Sequence, residues 1–148
     1  MRPPSPSLME EAERLALAAL SRQGARAERL MAGVLLLRQR DGQERLVRVL
    51  ARRGPHHRGG RGALGMHWLL PPGPEELVAL TDVGRRLVWL LPRREFEARA
   101  RPQAGGRHHL DWLVLPLGPS SLPLEEEFEG YLLGREGVPD LIRGGAQR

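Results

Sequence analysis

"GVLLLRQRDGQERLVRVLARR", residues 33–53, contains two apolar segments separated by a polar turn. Asp41 and Gly42 form the Asp-Gly pair that is typical of a tight β-hairpin. The second segment carries apolar residues on both parities of a strand. They are Leu46 and Leu50 on one parity and Val47 and Val49 on the other. This pattern predicts a central strand that is covered on both faces.

Arg48 lies among the apolar residues of that second strand. A charged side chain in apolar surroundings is costly unless it reaches water or a partner of opposite charge. Arg48 therefore needs either the strand edge or an anionic partner.

A helix is predicted before the hairpin. Ser7 and Glu10 have the spacing of a capping box, and Gly24 is a natural stop. Between them, apolar residues recur at helical spacing. They are Leu8, Ala12, Leu15, Ala16, Ala19 and Leu20. The pattern predicts an amphipathic helix over residues 8–22.

Downstream, apolar segments separated by turn residues predict further strands. Residues 53–64 are rich in glycine and proline and predict a flexible loop. ALGMHWLL predicts a third strand, and ELVALTDV with RLVWLLP predicts a second hairpin around Val83, Gly84 and Arg85. RREFEARA predicts a short helix and HLDWLVLP a last strand. The order predicts an α/β fold with a mixed β-sheet flanked by helices.

We expect residues 1–118 to form a single α/β domain and residues 119–148 to form an acidic tail with a short docked helix. In that tail, LEEEFEGYLL carries apolar residues at helical spacing, so one face is expected to be buried. They are Leu124, Phe128, Tyr131 and Leu132. Trp68, Trp89 and Trp112 each lie in an apolar strand and are expected in the core.

The composition excludes several kinds of chemistry. The chain of 148 residues has no cysteine, which excludes disulfides and thiolate zinc sites. All 23 basic residues are arginine, so no mechanism that needs a lysine amine can operate. The absence of asparagine and cysteine is compatible with a thermophilic source. The start of the chain lacks the apolar region of a signal peptide, and no run is long enough for a membrane span, so we expect a cytoplasmic protein without a membrane partner.

Positive charge is concentrated in the first half of the chain. Residues 1–62 hold 13 arginines against 6 acids, a formal charge of +7, whereas residues 63–148 have a formal charge of −2. A basic surface in the first half is expected to meet a polyanion. The alternative is an arginine-rich surface that serves only solubility.

The pattern AERLALAALSRQG, the hairpin that follows it and ELVALTDVGRRLVWLLPRREF together resemble the restriction-endonuclease-like superfamily, the PD-(D/E)XK nucleases. The likeness covers about residues 10–100. It implies an Asp on the first hairpin strand and Glu or Gln-x-Lys on the second. In that family two carboxylates hold Mg²⁺, which polarises the scissile phosphate and activates a water molecule.

This chain departs from the family pattern at every one of these positions. The Asp position falls near Gly33 and Val34, the Glu or Gln position on Arg48, and the Lys position on Leu50. A metal pair cannot be built from these side chains, and Arg48 would repel a cation. The resemblance therefore implies a catalytically inactive nuclease-like domain without a cofactor.

The basic strand and the segment after it predict a nucleic-acid interface, with DNA the expected partner. A guanidinium binds phosphate oxygens bidentately, and RGGRG is similar to nucleic-acid-binding RGG segments. The candidate contacts are Arg48, Arg52, Arg53, His57, Arg58 and Arg61. The alternative is a solvated loop, because the segment has no aromatic residue for base stacking.

Three other hypotheses stay open. Histidine pairs at 56–57 and 108–109, with Asp111, contain zinc-ligand types, although adjacent histidines on an extended chain point to opposite sides. Glu44, Asp82 and Asp111 are candidates for displaced nuclease carboxylates, although Asp82 also fits a turn. The third is a protein-interaction subunit of a DNA-processing or defence assembly, which would use the tail helix and an exposed edge strand.

Overall fold

The computed structural model of the protein describes residues 5–58 and 63–134. Over these residues the chain forms two α-helices, nine β-strands and two short 3₁₀ helices. In chain order they are α1 (Leu8–Arg22), β1 (Arg26–Met31), β2 (Val34–Arg38), β3 (Glu44–Arg52), β4 (His56–Arg58), β5 (Ala63–Leu70), β6 (Leu77–Asp82), β7 (Leu87–Pro92), α2 (Arg93–Arg99), β8 (Arg101–Gln103), a 3₁₀ helix (Ala104–Gly106), β9 (Arg107–Leu115) and the tail 3₁₀ helix (Glu125–Tyr131).

Helix α1 begins and ends where the sequence predicts. The Ser7 hydroxyl accepts from the Glu10 backbone N–H at 3.1 Å, and the Glu10 carboxylate accepts from the Ser7 N–H at 2.9 Å. This capping box satisfies two backbone donors that the first helical turn would otherwise leave unpaired. The hydrogen bond from the Ser7 backbone N–H lowers the pKa of the Glu10 carboxyl.

The main sheet has five strands in the order β1-β2-β3-β6-β7. β1, β2 and β3 form an antiparallel meander, β3 pairs with β6 in parallel, and β7 returns antiparallel to β6. Parallel neighbours need a crossover connection, and here the segment that contains β4 and β5 provides it. β3 is therefore a central strand, as its apolar residues on both parities predict.

The second sheet has four antiparallel strands in the order β4-β5-β9-β8. Along β5, Met66, Trp68 and Leu70 are buried, whereas Leu69, on the opposite parity, is exposed. This alternation shows that one face of the sheet packs on the core and the other faces outward.

Two hydrophobic layers cover the main sheet, one on each face. α1 packs on one face, against residues that include Leu35 and Val47. The second sheet packs on the other face, where its Trp68 and Trp112 meet Trp89 of β7, and all three are buried. Each pair of these indole rings lies within 6.3 Å between centroids. The prediction that the tryptophans form core is confirmed.

The predicted α/β fold class, a mixed sheet flanked by helices, is confirmed. Helix α1 covers one face, and the other is covered by a second sheet, which was not predicted, together with Phe96 of α2. Strands β1 and β8 were not predicted, and the predicted flexible loop at 53–64 includes β4 and the start of β5. β4 and β8 have only three residues each, too few to show a periodic pattern.

The tail buries one face, as predicted, although its helix is a 3₁₀ helix rather than an α-helix. Phe128 is buried, with its ring centroid 4.5 Å from that of Trp112. The Leu133 backbone N–H donates to the Val88 carbonyl at 2.9 Å. Residues after position 118 therefore complete the core between the two sheets.

Neither α-helix in the ranges 5–58 and 63–134 has the length and apolar content needed to cross a bilayer.

Candidate nucleic-acid interface

The positions that the resemblance assigns to the nuclease carboxylates meet at the start of β2. Val34 is the cross-strand partner of Arg48. A Cβ placed on Gly33, which has a φ of +76°, would lie 3.3 Å from Arg48 Nη1. The hairpin therefore brings the expected Asp and Glu positions side by side, and the Arg48 guanidinium lies next to Gly33.

Arg48 has an anionic partner inside the fold. Its Nη2 lies 3.1 Å from Glu75 Oε2, and its Nε lies 3.4 Å from Glu75 Oε1. The Glu75 side chain is 5% exposed and that of Arg48 is 25% exposed. Glu75 is therefore the anionic partner that Arg48 was predicted to need. The sequence did not indicate which acidic residue it would be.

Glu75 is also held by a second arginine. Arg93 Nη2 donates to Glu75 Oε1 at 2.7 Å, and Arg93 Nη1 donates to the Pro71 carbonyl at 3.0 Å. Two guanidinium groups thus share one buried carboxylate. Arg93 also lies 3.8 Å from Glu97 Oε2, and the two arginines leave Glu75 fully engaged.

A second buried carboxylate lies beside Gly33. Glu13 of α1 accepts from the Gly33 backbone N–H at 2.5 Å and from Arg29 Nε at 3.0 Å. Glu13 is 4% exposed although it is charged. The signal that could have found it is a glutamate next to Ala12, on the apolar side of the predicted helix.

The donors at this place do not fit a divalent cation. Leu50, at the position of the family's lysine, is buried in the core between the two sheets. Arg48 contributes a positive charge, and Glu13 and Glu75 already accept hydrogen bonds from neighbouring groups. Cation ligands are oxygen donors that remain available to the ion, which this arrangement does not offer.

The end of β3 carries the next two predicted contacts. Arg52 Nη2 lies 2.6 Å from His67 Nε2 on the neighbouring sheet. Arg53 Nη2 donates to Glu11 Oε2 at 3.0 Å, and the Arg53 side chain is 57% exposed. Arg52 contacts an imidazole and is partly buried, whereas Arg53 contacts a carboxylate and is exposed. Arg53 is therefore the more accessible of the two.

Of the remaining predicted contacts, His57 lies on β4 and is exposed. The backbone of Arg58 ends the same strand. The Arg58 side chain and the whole of Arg61 lie outside the described residues.

Three histidine rings line up on the outer face of the second sheet. The His56 and His67 centroids are 4.6 Å apart, and those of His67 and His109 are 5.5 Å apart, both with edge-on geometry. Burial, with the nearby Arg52 guanidinium, lowers the pKa of His67 to about 4. His56 and His109, one from each histidine pair, therefore lie next to the neutral imidazole of His67.

This histidine face does not support the zinc hypothesis. His109 Nε2 lies 3.5 Å from Asp111 Oδ1, and Asp111 Oδ2 accepts from Arg101 Nη2 at 2.9 Å. Within the described ranges, no group of three or more histidine and carboxylate side chains is placed to hold a metal ion.

The candidate displaced carboxylates do not converge either. Asp82 is fully buried at the end of β6, where Oδ1 accepts from the Gly54 and Arg85 backbone N–H groups and Oδ2 from Arg85 Nε. Arg85 also donates to Glu125 through Nη1 and Nη2. Glu125 accepts a further hydrogen bond from the Trp112 indole N–H. Burial alone would lower the pKa of Arg85, but the hydrogen bonds to these carboxylates outweigh it and raise that pKa.

Glu44 pairs with Arg38 on the surface, at 3.2 Å. Glu44, Asp82 and Asp111 are therefore each engaged with a different arginine. The turn interpretation of Asp82 agrees with its bonds to Gly54 and Arg85.

Comparison with solved structures finds a likeness of fold. The chain is similar to the structure of a bacterial homing endonuclease, I-Ssp6803I, with a TM-score of 0.50 and 10% sequence identity, over 84% of this chain and 83% of that chain. No family model matches the chain, and no curated protein does. At this identity the likeness shows the fold alone: the chain has a restriction-endonuclease-like α/β fold.

Proposed function

We propose that this protein binds nucleic acid, with DNA as its partner, and does not cleave it. The single observation that carries the proposal is the Arg48–Glu75 ion pair beside Gly33, where the resembled nucleases bind a metal ion with carboxylates. The likeness to a homing endonuclease makes DNA the first partner to test, since a fold alone does not establish a function.

Arg48 accounts for the proposed loss of cleavage. Its guanidinium puts a fixed positive charge at the expected metal position, and charge repulsion disfavours a second cation there. Leu50 carries no amine to position a water molecule, and it is buried in the core. Phosphoryl transfer without a metal or a lysine would lack its main electrostatic stabilisation.

The proposed contact surface is the end of β3 together with β4. Arg53 pairs with Glu11 at the surface, and an exposed ion pair of this kind contributes little, about 1 kcal/mol or less. A phosphate can therefore replace Glu11 at low cost. His57 is exposed on β4, four residues after Arg53, and Arg52 is the last residue of β3. Arg58 and Arg61 belong to the same proposed surface by sequence, and Arg48 adds positive potential next to it.

Fluorescence anisotropy with a labelled duplex tests the proposal. We expect micromolar binding at about 50 mM salt that weakens steeply as salt is raised, because phosphate neutralisation releases counterions. Arg53→Glu should weaken binding severalfold, whereas Arg94→Glu, the same charge reversal at an exposed position of α2, should not. Absence of duplex binding at low salt would remove the proposal.

A cleavage assay tests the second half of the proposal. We expect no product from supercoiled or linear DNA with Mg²⁺ or Mn²⁺. Cleavage that depends on the metal and is abolished by Asp82→Asn or Asp111→Asn, in variants that still fold, would instead support a nuclease with displaced carboxylates.

A second candidate function is a protein-interaction subunit, and the edge strand β1 favours it. Leu30 is 49% exposed and Met31 is 57% exposed at the end of this strand. An edge strand with exposed apolar side chains is a ready surface for pairing with another chain. Light scattering tests the self-association form: a dimer that Met31→Lys dissociates supports it, and a monomer for the unmodified protein argues against it.

A further inference from the structure

A cavity of about 380 Å³ lies between the end of α1 and the β2–β3 hairpin. Its lining contains three arginines and no acidic residue. The lining residues are Gly24, Ala25, Arg26, Arg38, Gln39, Arg40 and Gly42. This concentration of guanidinium groups is separate from Arg52, Arg53 and His57, the proposed contacts at the end of β3 and on β4.

Two of these arginines are forced together by strand register. Arg26 of β1 is the direct cross-strand partner of Arg38 of β2. Like charges in such a pair are destabilising, and a bound anion would relieve the repulsion.

The acidic residues nearby compensate only one of the three. Arg38 pairs with Glu28 at 3.4 Å and with Glu44 at 3.2 Å. Among residues 5–58 and 63–134, no carboxylate forms an ion pair with Arg26 or Arg40, and both side chains are exposed. Arg26 and Arg40 line this cavity, and their guanidinium N–H groups are available to an anion.

The rim of the cavity leaves room for a bulky anion. Gly24 and Gly42 both have a positive φ, and a Cβ on either would meet no atom within 4 Å. A shallower cavity of about 180 Å³ shares Arg26 and Arg38 and is also lined by Ala27, Glu28 and Leu36. The two cavities are therefore neighbours at the edge formed by β1 and β2.

We infer that this cavity is an anion site that binds a backbone phosphate of nucleic acid, with Arg26 and Arg40 as its main contacts. A guanidinium binds phosphate oxygens through paired N–H groups, which suits it to a phosphodiester better than to a compact monovalent ion. The inference rests on the proposed function for the identity of its ligand, and it adds a second contact region at the other end of β2.

The slope of log affinity against log salt tests the inference with a labelled duplex of about 20 base pairs. Each neutralised phosphate contributes about 0.9 to the magnitude of that slope. Arg26→Gln with Arg40→Gln removes the contact with one phosphate, so the double variant should lower that magnitude by about 1 and weaken binding. Arg14→Gln with Arg94→Gln removes the same charge from exposed positions on the two α-helices and should leave the slope close to that of the unmodified protein. Circular dichroism confirms that both double variants fold.

A slope that falls in the first double variant but not in the second supports the inference. Duplex binding with the same slope in all three proteins overturns the inference and leaves the proposed function standing.

If the unmodified protein binds no duplex, the proposed function fails. A titration with inorganic pyrophosphate, monitored through the arginine Nε–Hε resonances, then tests the anion site by itself. Shifts of the Arg26 and Arg40 resonances at millimolar pyrophosphate then still support the anion site, and the absence of such shifts overturns it.

Discussion

Arg48 on β3 and Glu75, which lies just before β6, form an ion pair with 3.1 Å between Nη2 and Oε2. The pair crosses the parallel junction of the main sheet, because β3 and β6 are neighbours there. Arg93 binds the same carboxylate at 2.7 Å. Glu75, at the end of the crossover, therefore links β3 of the hairpin to the start of α2 through these two ion pairs.

Replacing Glu75 by glutamine should destabilise the protein strongly. The variant leaves Arg48 without a carboxylate and Arg93 with only the more distant Glu97, at 3.8 Å. We expect this to cost about 2–4 kcal/mol of the free energy of unfolding, because the place is largely buried. Urea unfolding at pH 7 measures it. Glu76→Gln is the matched control, since Glu76 is half-exposed and pairs with Arg45 at the surface. Its cost should stay below about 1 kcal/mol. Equal costs for the two variants would contradict the assignment of Glu75 as the central partner.

Alanine at Gly33 should cost more than alanine at Gly24. Both glycines have a positive φ, so both substitutions incur backbone strain of about 1–2 kcal/mol. Only at Gly33 does the new Cβ meet a neighbour, Arg48 Nη1 at 3.3 Å, and Glu75 restrains that guanidinium. The contact should add about 0.5–1 kcal/mol, the scale of a side chain displaced from its rotamer.

A double-mutant cycle isolates the contact at Gly33. In a Glu75→Gln background, Arg48 is released and can move away, so the extra cost of Gly33→Ala over Gly24→Ala should shrink. Chemical denaturation of six proteins measures the coupling: the unmodified protein, Glu75→Gln, and each of the two alanine variants in both backgrounds. An extra cost that is unchanged in that background would show that Arg48 does not cause it.

Replacing Asp82 by asparagine should loosen the junction between the two sheets. One oxygen can still accept from the Gly54 and Arg85 backbone, but the amide nitrogen then faces Arg85 Nε, a donor against a donor. We expect a loss of about 2–3 kcal/mol in the free energy of unfolding, as for a buried polar group left without its partner. Asp41→Asn, at an exposed turn, is the control. A cost below that of Asp41→Asn would contradict the structural role of Asp82.

Local signals in the sequence identified the elements that they determine. The capping box of Ser7 and Glu10 and the stop at Gly24 place α1, and Asp41-Gly42 places the hairpin, because each feature depends on residues within one turn. β1 escaped prediction because its residues are mostly exposed and do not alternate between apolar and polar. An edge strand of this kind owes its conformation to pairing with β2 rather than to its own pattern.

The candidate site was predictable in part for the same reason. The position of Arg48 in an apolar strand showed that it needs an anionic partner, but the partner lies 27 residues away in sequence. Its identity depends on the parallel pairing of β3 with β6, which no local pattern specifies. Glu13 was within reach of the sequence, since it interrupts the apolar side of a well-predicted helix.

The unfolding free energy should fall below pH 6.5 because of His67. In the folded protein its pKa is lowered to about 4, whereas in the unfolded chain the imidazole takes up a proton near pH 6.5. Between these values only the unfolded chain is protonated, so the stability present above pH 6.5 is lost as the pH falls toward 4, with a slope of at most about 1.4 kcal/mol per pH unit. Urea unfolding between pH 4 and 7 measures that slope.

His67→Gln removes this titration and keeps an oxygen that can accept from Arg52. The variant should therefore flatten the pH dependence over the same interval. His57→Gln removes one imidazole from an exposed position of β4 and controls for the loss of a histidine as such. An NMR titration of the His67 ring protons provides a direct check, with an expected midpoint near pH 4. A midpoint near 6.5 would mean that the imidazole is protonated as freely in the fold as in water, which its burial beside Arg52 argues against.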